Sequence, residues 1–486
     1  MRRLITVLTI LALVLSCTGC SDEESAAPVN PYMNTALVVG EHEITSVEIG
    51  YFFVDVINKW HDEYSAYISY YGLDSKVALN RQICDSKTNE TWAQFFLDMT
   101  IDNITETYAL YSAAKANDYS LSDLEKSELN EAFDNLDTYA TQAGFSDVDA
   151  YLQSLYGENA TLDTYKAYFE VSLLAKSYYN HYSTTLLDSY TDEDLRAYEG
   201  DATYTYDTYH FATYSLGADN FVTQKDLYDT ATSIANPENN TVEKLNVAIE
   251  QATKNMSDVS TVCKESKNTR YSNINVNLQE WLRDESRVPG DITAIAITTS
   301  STLSADSYEI VLFLGRSENQ IPLVNARHIL IPFEGGTTDS TGAIQFSDAE
   351  KAAAWSEAEQ LLEQWKKGDA TAESFGALAD KYSADTTAGG LYQNIYPGEM
   401  FEDFSNWCFA DNRRSGDTAI IESEYGCHIT YFENECDITY RDYMITNDKL
   451  TEDISGWSKS ILEGLEAQKK DIIRVDMTRT LEDILY

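Results

Sequence analysis

The pattern of apolar and polar positions divides the chain into a helical region followed by strand-rich regions. Residues 36–200 carry apolar side chains at helical spacing, and this pattern predicts helices at 90–117, 122–143, 148–155 and 162–187. A short strand and a turn precede a first helix, which is expected to start near Thr45. Thr45 and Glu48 have the spacing of a capping box, in which both side chains satisfy free backbone amides of a helix start. The pattern therefore predicts a helical N-terminal domain.

Beyond the helical region, two stretches of the sequence resemble each other. TYHFATYSL around His210 resembles ARHILIPF around His328. Trp281 and Trp407 each stand nine residues before a Gly-Asp pair, and each stretch closes on an apolar strand, SYEIVLFL or GCHITYF. These repeated spacings predict two copies of one supersecondary unit. The predicted positions of the two copies are 201–320 and 325–433.

The second copy alternates strands and helices in a defined order. A strand, RHILIPF, is followed by a helix at Asp348–Lys367, a short helix, a glycine turn, another helix and a closing strand. Apolar residues such as Trp355 and Trp365 are expected on the buried side of the long helix. Residues 436–486 contain a predicted helix at 448–468, which is expected to pack on the N-terminal helices. The whole pattern predicts an α+β multidomain fold, with a helical lobe and two smaller α+β units.

Acidic residues dominate the composition. The chain has 80 Asp and Glu residues against 34 Lys and Arg residues, which gives a formal net charge of -46. A field of this sign repels nucleic acid and anionic lipid headgroups, so no nucleic-acid partner is expected. A solvated acidic surface accounts for the charge, and a cationic partner is the alternative.

The first residues have the features of a signal peptide, predicted at residues 1–19. Two arginines precede an apolar run that is short for a membrane span, as in exported proteins. The run ends at SCTGC, which resembles a lipoprotein lipobox. Cys20 is the predicted lipidation site, because Gly19 precedes it and a polar tether at 20–35 follows, while Cys17 is the alternative acceptor. Acyl chains on Cys20 would hold the protein on the extracytoplasmic face of the cell membrane, and a plain secreted protein is the alternative.

The remaining cysteines do not suggest a metal site. They are Cys84, Cys263, Cys408, Cys427 and Cys436, and none has C-x2-C spacing. Their odd number also argues against a complete disulfide framework. Cys408, in the apolar run WCF, is expected to be a core residue.

The second copy carries an ordered set of motifs that resembles the parvulin-type peptidyl-prolyl isomerases. That family has a histidine and aliphatic pair on its first strand, a Y-S-x-D segment and a Gly-Gly-Leu turn. A P-G-x-M segment, an F-x-x-x-x-F helix and a G-x-H-I closing strand follow. All of these motifs appear here in order, over residues 325–433. A helical N-terminal segment followed by such units also resembles the PrsA-type foldases and the SurA-type chaperones.

The resemblance implies a set of site residues. The implied catalytic residues are His328, Asp385 and His428. The implied substrate-binding residues are Leu391, Met400, Phe404, Phe409 and Tyr425. Leu391, Met400 and Phe404 would hold the proline ring, while His328 and His428 would lie side by side and tune the hydrogen bonds around Asp385. Tyr425 stands where the family commonly has a smaller polar residue, and the turn after Leu391 departs from the common G-D-L-G-x-F form.

The resemblance implies an extracytoplasmic foldase that binds unfolded exported proteins and isomerises their X–Pro bonds. Rotation about this amide faces a barrier of about 18–20 kcal/mol. No bond is cleaved, so no metal or cofactor is implied. A dry apolar pocket would weaken the planar, charge-separated form of the amide by removing water from its carbonyl.

The first copy is predicted to be a degenerate, non-catalytic unit. It keeps a histidine at His210, but Glu309 falls where His428 stands in the second copy, and the Gly-Gly-Leu and P-G-x-M motifs are missing. Two alternatives to the foldase stay open for the whole chain. One is a holdase whose second copy binds chains without turnover, and the other is a solute-binding lipoprotein.

Overall fold

The computed structural model describes residues 30–68, 70–200, 203–256, 259–298, 304–338 and 343–485. The predicted signal peptide and both candidate lipidation sites, Cys17 and Cys20, lie outside these ranges. The helices are α1 Ser46–Tyr64, α2 Trp92–Ala116, α3 Asp123–Gln142, α4 Val148–Tyr156, α5 Leu162–Ser189, α6 Asp192–Glu199, α7 Gln224–Ile234, α8 Val242–Thr253, α9 Val276–Leu282, α10 Asp348–Lys367, α11 Ala372–Tyr382, α12 Glu402–Cys408, α13 Tyr440–Leu462 and α14 Leu481–Leu485.

The strands follow the same numbering along the chain. They are β1 Thr35–Val39, β2 His42–Thr45, β3 Ile83–Asp85, β4 Glu90–Thr91, β5 Thr208–Gly217, β6 Lys264–Arg270, β7 Ile292–Ile297, β8 Ser307–Ser317, β9 Pro322–Pro332, β10 Thr337–Thr338, β11 Ile344–Gln345, β12 Leu391–Ile395, β13 Thr418–Glu422, β14 Gly426–Thr439 and β15 Ala467–Lys469. Within the described ranges, no helix combines the length and apolar character needed to cross a bilayer.

The chain divides into two compact units. The helical unit comprises the described residues up to Tyr190 and from Leu450 onward, and the sheet unit comprises the described residues of Thr191–Lys449. In the helical unit, α1, α2 and α5 pack around one apolar core that is rich in tyrosine, phenylalanine and tryptophan. The helical N-terminal region therefore buries its aromatic side chains mainly against one another.

The start of α1 shows how the local sequence sets the helix. Thr45 caps the helix, because its hydroxyl accepts the backbone N–H of Glu48 at 3.2 Å. The Glu48 carboxylate does not complete the predicted capping box. It accepts a hydrogen bond from the hydroxyl of Tyr108 on α2 instead. Glu48 thus joins two helices of the core rather than closing its own helix end.

The C-terminal residues complete the helical unit. Strand β15 pairs with β1, and Leu481 and Ile484 of α14 are buried in the same core as α1. Trp457 stacks on Tyr182 of α5, with ring centroids 3.9 Å apart. Helix α13 begins eight residues before its predicted start at 448, because it continues directly from β14, and it ends at Leu462 rather than at 468. Gly464, with φ of 79°, follows that end and favours its termination.

The sheet unit contains two antiparallel sheets with the same topology. The first copy of the repeat forms a four-stranded sheet in the order β6-β5-β8-β7, and the second copy forms one in the order β12-β9-β14-β13. Both copies run strand, two helices, edge strand, short helix and two strands along the chain, apart from the small β10-β11 pair in the second. The predicted repeat and the α+β multidomain fold are confirmed.

A small cluster of side chains recurs in both copies. The guanidinium of Arg287 lies 4.5 Å from the ring centroid of Trp281, and that of Arg413 lies 4.3 Å from Trp407. Each arginine also donates its Nε to the backbone carbonyl of its tryptophan, at 3.2 Å in the first copy and 2.9 Å in the second. The spacing found in the sequence is therefore a packing motif that holds the short helix against its sheet.

Strand register corrects one equivalence between the copies. Gly290 and Gly416 donate their N–H groups to the carbonyls of Phe313 and Phe432, which makes these two phenylalanines equivalent. From these positions, Glu309 occupies the place of His428, as predicted.

His210 does not occupy the place of His328. Thr213 does, because Thr213 pairs with Val311 as His328 pairs with Thr430. His210 pairs with Gly315 beyond a bulge at Leu314 of β8. The similar apolar alternation of the two strands allowed a misalignment by three residues in the sequence comparison, and the register removes it.

The second copy buries both faces of its sheet. Alternate residues of β9, including Ile329 and Ile331, pack against α10 and α11, while Val324 and Ala326 pack against α12 on the other face. The buried side of α10 consists of Ala354, Ala358, Leu361, Leu362 and Trp365. Trp355, also expected there, is 37% exposed and lies outside it. Cys408 is buried, as predicted from its apolar neighbours.

Candidate active site

Two histidines meet at the centre of the second sheet. His328 on β9 and His428 on β14 lie on adjacent strands, and the two residues are only 3% and 4% exposed. Their Nδ1 atoms are 3.0 Å apart, and their rings are nearly parallel at 7°. The structure therefore brings together the two histidines that the sequence predicted as neighbours.

The histidines belong to a chain of hydrogen bonds that ends on a carboxylate. His328 Nε2 lies 3.0 Å from Asp385 Oδ2, and His428 Nε2 lies 2.7 Å from Ser423 Oγ. An ionised carboxylate only accepts, so His328 donates to Asp385 through Nε2 and accepts through Nδ1. His428 must then donate through Nδ1 and accept the Ser423 hydroxyl proton through Nε2. All four ring nitrogens are thereby satisfied with both rings neutral.

The electrostatics favour this assignment. Burial lowers the pKa of His328, and the charge of Asp385 opposes that shift only in part. Burial and the neighbouring His328 lower the pKa of His428 to about 4. Burial disfavours the ionised form of Asp385, but hydrogen bonds from Thr387 and Tyr392 outweigh it and hold the pKa of Asp385 well below its usual range. At neutral pH the site therefore has two neutral imidazoles beside a carboxylate.

The segment after α11 holds Asp385 in place. Ser383 Oγ accepts the N–H of Leu330 at 3.0 Å, and the N–H of Ala384 donates to the Leu330 carbonyl at 2.9 Å. This pairing ties the segment to β9 next to His328. Thr387 donates its N–H to Asp385 Oδ1 at 2.8 Å and orients the carboxylate.

A glycine closes the segment against β9. Gly390 has φ of 59°, and a Cβ at this position would lie 2.2 Å from the carbonyl oxygen of His328. Only glycine fits such a close approach without strain. The predicted Gly-Gly turn is thus needed to bring the Asp385 segment against the His328 strand.

Apolar side chains form one wall beside the histidines. Met400 and Phe409 pack with Phe404 of α12 in one cluster, and Phe404 is fully buried. The Phe404 ring lies 6.0 Å from His328, and the Phe401 ring lies 4.8 Å from His428. Met400, Phe404 and Phe409 thus lie on the same side of the sheet as the histidine pair.

Leu391 does not join this wall. It pairs with Arg327, whose side chain lies on the opposite face of β9 from His328. Leu391, which is expected to hold the proline ring, therefore lies on the face of the sheet opposite the histidine pair. Tyr392 lies on the histidine side, with its ring 5.1 Å from His328 and its hydroxyl donating to Asp385 Oδ2 at 2.8 Å.

Tyr425 lies at the turn between β13 and β14, and it is 66% exposed. Its side chain makes no hydrogen bond or ring contact with the described residues. Its backbone N–H donates to Ser423 Oγ at 3.1 Å, so its connection to the histidines is through the main chain.

Three residues of this site were not predicted from the sequence. Tyr392 and Phe401 follow predicted motif residues by one position, and Ser423 is an ordinary polar residue near the end of β13. Alternation along β12 could have identified Tyr392, because adjacent residues of a strand point to opposite faces. Ser423 becomes visible only when the turn between β13 and β14 brings it to His428.

The two buried cysteines of this copy are not poised as nucleophiles. Burial raises the pKa of Cys408 to about 12 and that of Cys427 to about 11, so both stay as thiols at neutral pH. What the site offers is an apolar wall beside a preorganised polar chain. Such an arrangement suits a reaction that changes conformation rather than covalent bonding.

Comparison with known proteins agrees with this geometry. Residues 308–435 match the family model of the PPIC-type PPIASE domain. No curated protein sequence matches the chain.

Solved structures similar to this chain include two PrsA proteins and a SurA-like chaperone. PrsA from Bacillus subtilis is 16% identical, with 80% of this chain and 93% of that chain covered and a TM-score of 0.27. The peptidylprolyl isomerase PrsA from Bacillus anthracis is 19% identical, with 30% and 59% covered and a TM-score of 0.18. A SurA-like chaperone structure from Campylobacter jejuni is 12% identical, with 72% and 96% covered and a TM-score of 0.16. The family match confirms the resemblance predicted from the motifs: the second copy of the repeat is a parvulin-type domain of the PPIC family.

Proposed function

We propose that this protein is a membrane-anchored extracytoplasmic foldase, which binds unfolded exported proteins and isomerises their X–Pro peptide bonds. The observation that carries the proposal is the apolar wall of Met400 and Phe404 beside the chain of Asp385, His328 and His428. A proline ring held against this wall would place its amide next to the polar chain. The holding of unfolded chains is assigned to the helical unit.

The apolar wall supplies the main catalytic effect. Its aromatic and thioether side chains remove water from the prolyl amide, which weakens the charge-separated planar form relative to the twisted form. Each tenfold acceleration needs only about 1.4 kcal/mol of preferential binding to the twisted form. A small number of apolar contacts is therefore enough for useful catalysis.

The histidines act by positioning. Every ring nitrogen of His328 and His428 already has a partner within this chain of hydrogen bonds. Neither ring can give a proton to a substrate, or take one from it, without breaking that chain. Their role is to hold Asp385 in one orientation beside the proline slot. Neither histidine is assigned as a general acid or base.

A non-catalytic holdase is the second candidate function, and one observation favours it. Tyr392 projects its ring into the slot where a smaller aliphatic residue was expected, and its hydroxyl is bonded to Asp385. A slot narrowed in this way would bind extended chains at its rim without enclosing a proline ring. The two candidates differ in turnover and share client binding.

Isomerisation of a proline-containing tetrapeptide by the full chain tests the enzyme. Met400→Ala should lower kcat/KM by about tenfold, because this residue contacts the ring during rotation. Phe404→Ala added to it should abolish the activity, although removal of a fully buried ring also costs about 3–5 kcal/mol of stability. The single variant at half-buried Met400 therefore carries the test.

Met99→Ala, at an exposed methionine of α2, is the matched control and should leave the rate unchanged. Thermal unfolding of each variant distinguishes a local change in the slot from a general loss of the folded structure. If the full chain does not exceed the spontaneous rate, the isomerase is rejected. Suppression of light scattering from an aggregating client would then support the holdase.

Labelling with a palmitate analogue in a bacterial host tests the anchor. The label should disappear in Cys20→Ala and stay in Cys17→Ala. The reverse result would assign Cys17 as the acceptor. An unlabelled wild-type chain in the culture medium would show a secreted protein and remove the anchor from the proposal.

A further inference from the structure

Met400, one of the residues of the apolar wall, directly follows a tight turn. The N–H of Glu399 donates to the carbonyl of Tyr396 at 3.2 Å, with Pro397 and Gly398 between them. Gly398 has φ of 84°, so the turn is of type II, in which glycine is required at this position. The conformation of the turn therefore determines the position of the Met400 backbone.

The same turn is bonded to the helix that carries Phe404. The N–H of Gly398 donates to Ser405 Oγ at 2.9 Å, and Ser405 adjoins Phe404 in the buried part of α12. At the other end, the Tyr396 ring stacks on Tyr440 with centroids 4.4 Å apart and planes within 3°. The turn that precedes Met400 is thus fixed both to α12 and to Tyr440.

A residue of the first copy contacts this turn. Asn268 donates its side-chain N–H to the carbonyl of Pro397 at 3.1 Å. It also covers the Cα of Gly398, since a Cβ there would lie 2.2 Å from the Asn268 amide nitrogen. The carbonyl of Pro397 belongs to the central peptide group of the turn. Asn268 therefore bonds to the peptide group whose orientation defines the turn type.

The backbone of β6 is shaped to present this side chain. The pairing of β5 with β6 shifts register between Tyr209 and Phe211, which leaves Lys267 and Asn268 as a bulge in β6. Asn268 has φ of 47°, a left-handed conformation that asparagine tolerates better than most residues. Bulges of this kind redirect a side chain, and here the side chain is directed toward the second copy.

We propose that Asn268 of the first copy is a positioning residue for the proline slot of the second copy, acting through the Pro397–Gly398 turn. The inference rests on the proposed function, because it assigns Met400 to that slot. The proposal gives the degenerate first copy a role in the activity of the second copy. The nearby ion pair of Lys267 and Glu402, at 3.7 Å between two exposed side chains, contributes little.

A double-mutant cycle in the full chain tests the proposal. Asn268→Gly keeps the left-handed backbone and removes the contact, and it should lower kcat/KM for a prolyl tetrapeptide about two- to fivefold, the effect of one exposed neutral hydrogen bond. In a Met400→Ala background the same change should have almost no effect, since its target is gone. Asn268→His, which keeps a short side-chain donor, should recover part of the loss. Asn89→Gly, another asparagine with positive φ in the β3–β4 hairpin, is the matched control.

Each outcome decides the proposal. An unchanged kcat/KM in Asn268→Gly overturns it, and so does an equal loss in the two backgrounds, which would indicate general destabilisation. If the wild-type chain does not isomerise at all, the proposed function fails, and anisotropy of a labelled proline peptide then reads the same cycle as binding. Weaker binding in Asn268→Gly that disappears in Met400→Ala supports the positioning role in that case. Unchanged or undetectable binding overturns it.

Discussion

His328 and His428 face each other through their Nδ1 atoms at 3.0 Å, so one nitrogen must donate and the other must accept. A protonated imidazole only donates, and therefore the two rings cannot both carry a charge in this arrangement. We therefore expect the stability of this domain to depend on pH.

Acid should destabilise the second copy through His428. Its folded pKa of about 4 is below the ordinary value of 6.5, so an unfolded chain takes up a proton that the folded chain refuses. The contribution is complete above pH 6.5 and is lost as the pH falls toward 4. Two and a half pH units correspond to about 3 kcal/mol.

Urea titration of the full chain at several pH values measures this loss. Unfolding of the second copy is followed by a hydrogen-exchange pulse at one fixed pH, detected in peptides from β9 and β14. His428→Gln removes one titrating group of the pair and should reduce the pH dependence of stability between pH 6.5 and 4. Equal slopes for the wild type and the variant would contradict the prediction.

The Tyr392 hydroxyl should contribute to the site through Asp385. Tyr392→Phe removes one hydrogen bond to an ionised carboxylate, so the pKa of Asp385 should rise and kcat/KM should fall by about tenfold. Carbon-detected NMR of labelled aspartate follows the pKa, and a peptide assay follows the rate. Tyr382→Phe, at the end of α11, is the control and should change neither. An unaltered Asp385 pKa in Tyr392→Phe would remove the tyrosine from the site.

Gly390 should tolerate no side chain. Gly390→Ala places a methyl group 2.2 Å from the His328 carbonyl and also strains a backbone with positive φ. We expect a loss of about 3 kcal/mol or more and a displaced Asp385. Gly416→Ala has the same kind of backbone strain with open space around the new methyl group, and it should cost only about 1 kcal/mol. Equal losses in chemical denaturation would show that the close approach to His328 is not what requires glycine.

The helical unit should respond to pH in the opposite direction. Burial raises the pKa of Glu48 to about 7, and the hydrogen bond from Tyr108 offsets this only in part. The folded state thus holds a proton that the unfolded state releases, and stability falls as the pH rises from 4.5 through 7. Glu48→Gln should stabilise the helical unit by about 2–3 kcal/mol at pH 8 and by little at pH 4.5. Urea unfolding followed by hydrogen exchange in α1 and α2 measures this, and a gain of equal size at both pH values would refute it.

Ordered motifs and periodicity predicted much of this molecule. The bounds of α10 and the Thr45 cap of α1 follow from local rules, since helix starts depend on side chains close in sequence. The neighbouring positions of His328 and His428 came from the family resemblance, which carries long-range information that periodicity lacks.

The remaining features depend on strand register. Leu391 and Tyr392 are both large and apolar in part, so composition does not decide which one faces the slot, and a shift by one residue exchanges the faces. The same limit misplaced His210, because the apolar strands of the two copies can be aligned in more than one way. The Glu48 bond to Tyr108 and the Asn268 contact arise only when distant segments meet.

The two copies of the repeat share a packing motif but differ in their buried histidines. Both copies keep the arginine–tryptophan packing motif, but the first has Thr213 and Glu309 where the second buries its histidine pair. Within the described part of the first copy, no histidine is buried. We therefore expect acidification from pH 6.5 toward pH 4 to destabilise the parvulin-type domain more than the first copy, and so to unfold one half of the repeat selectively.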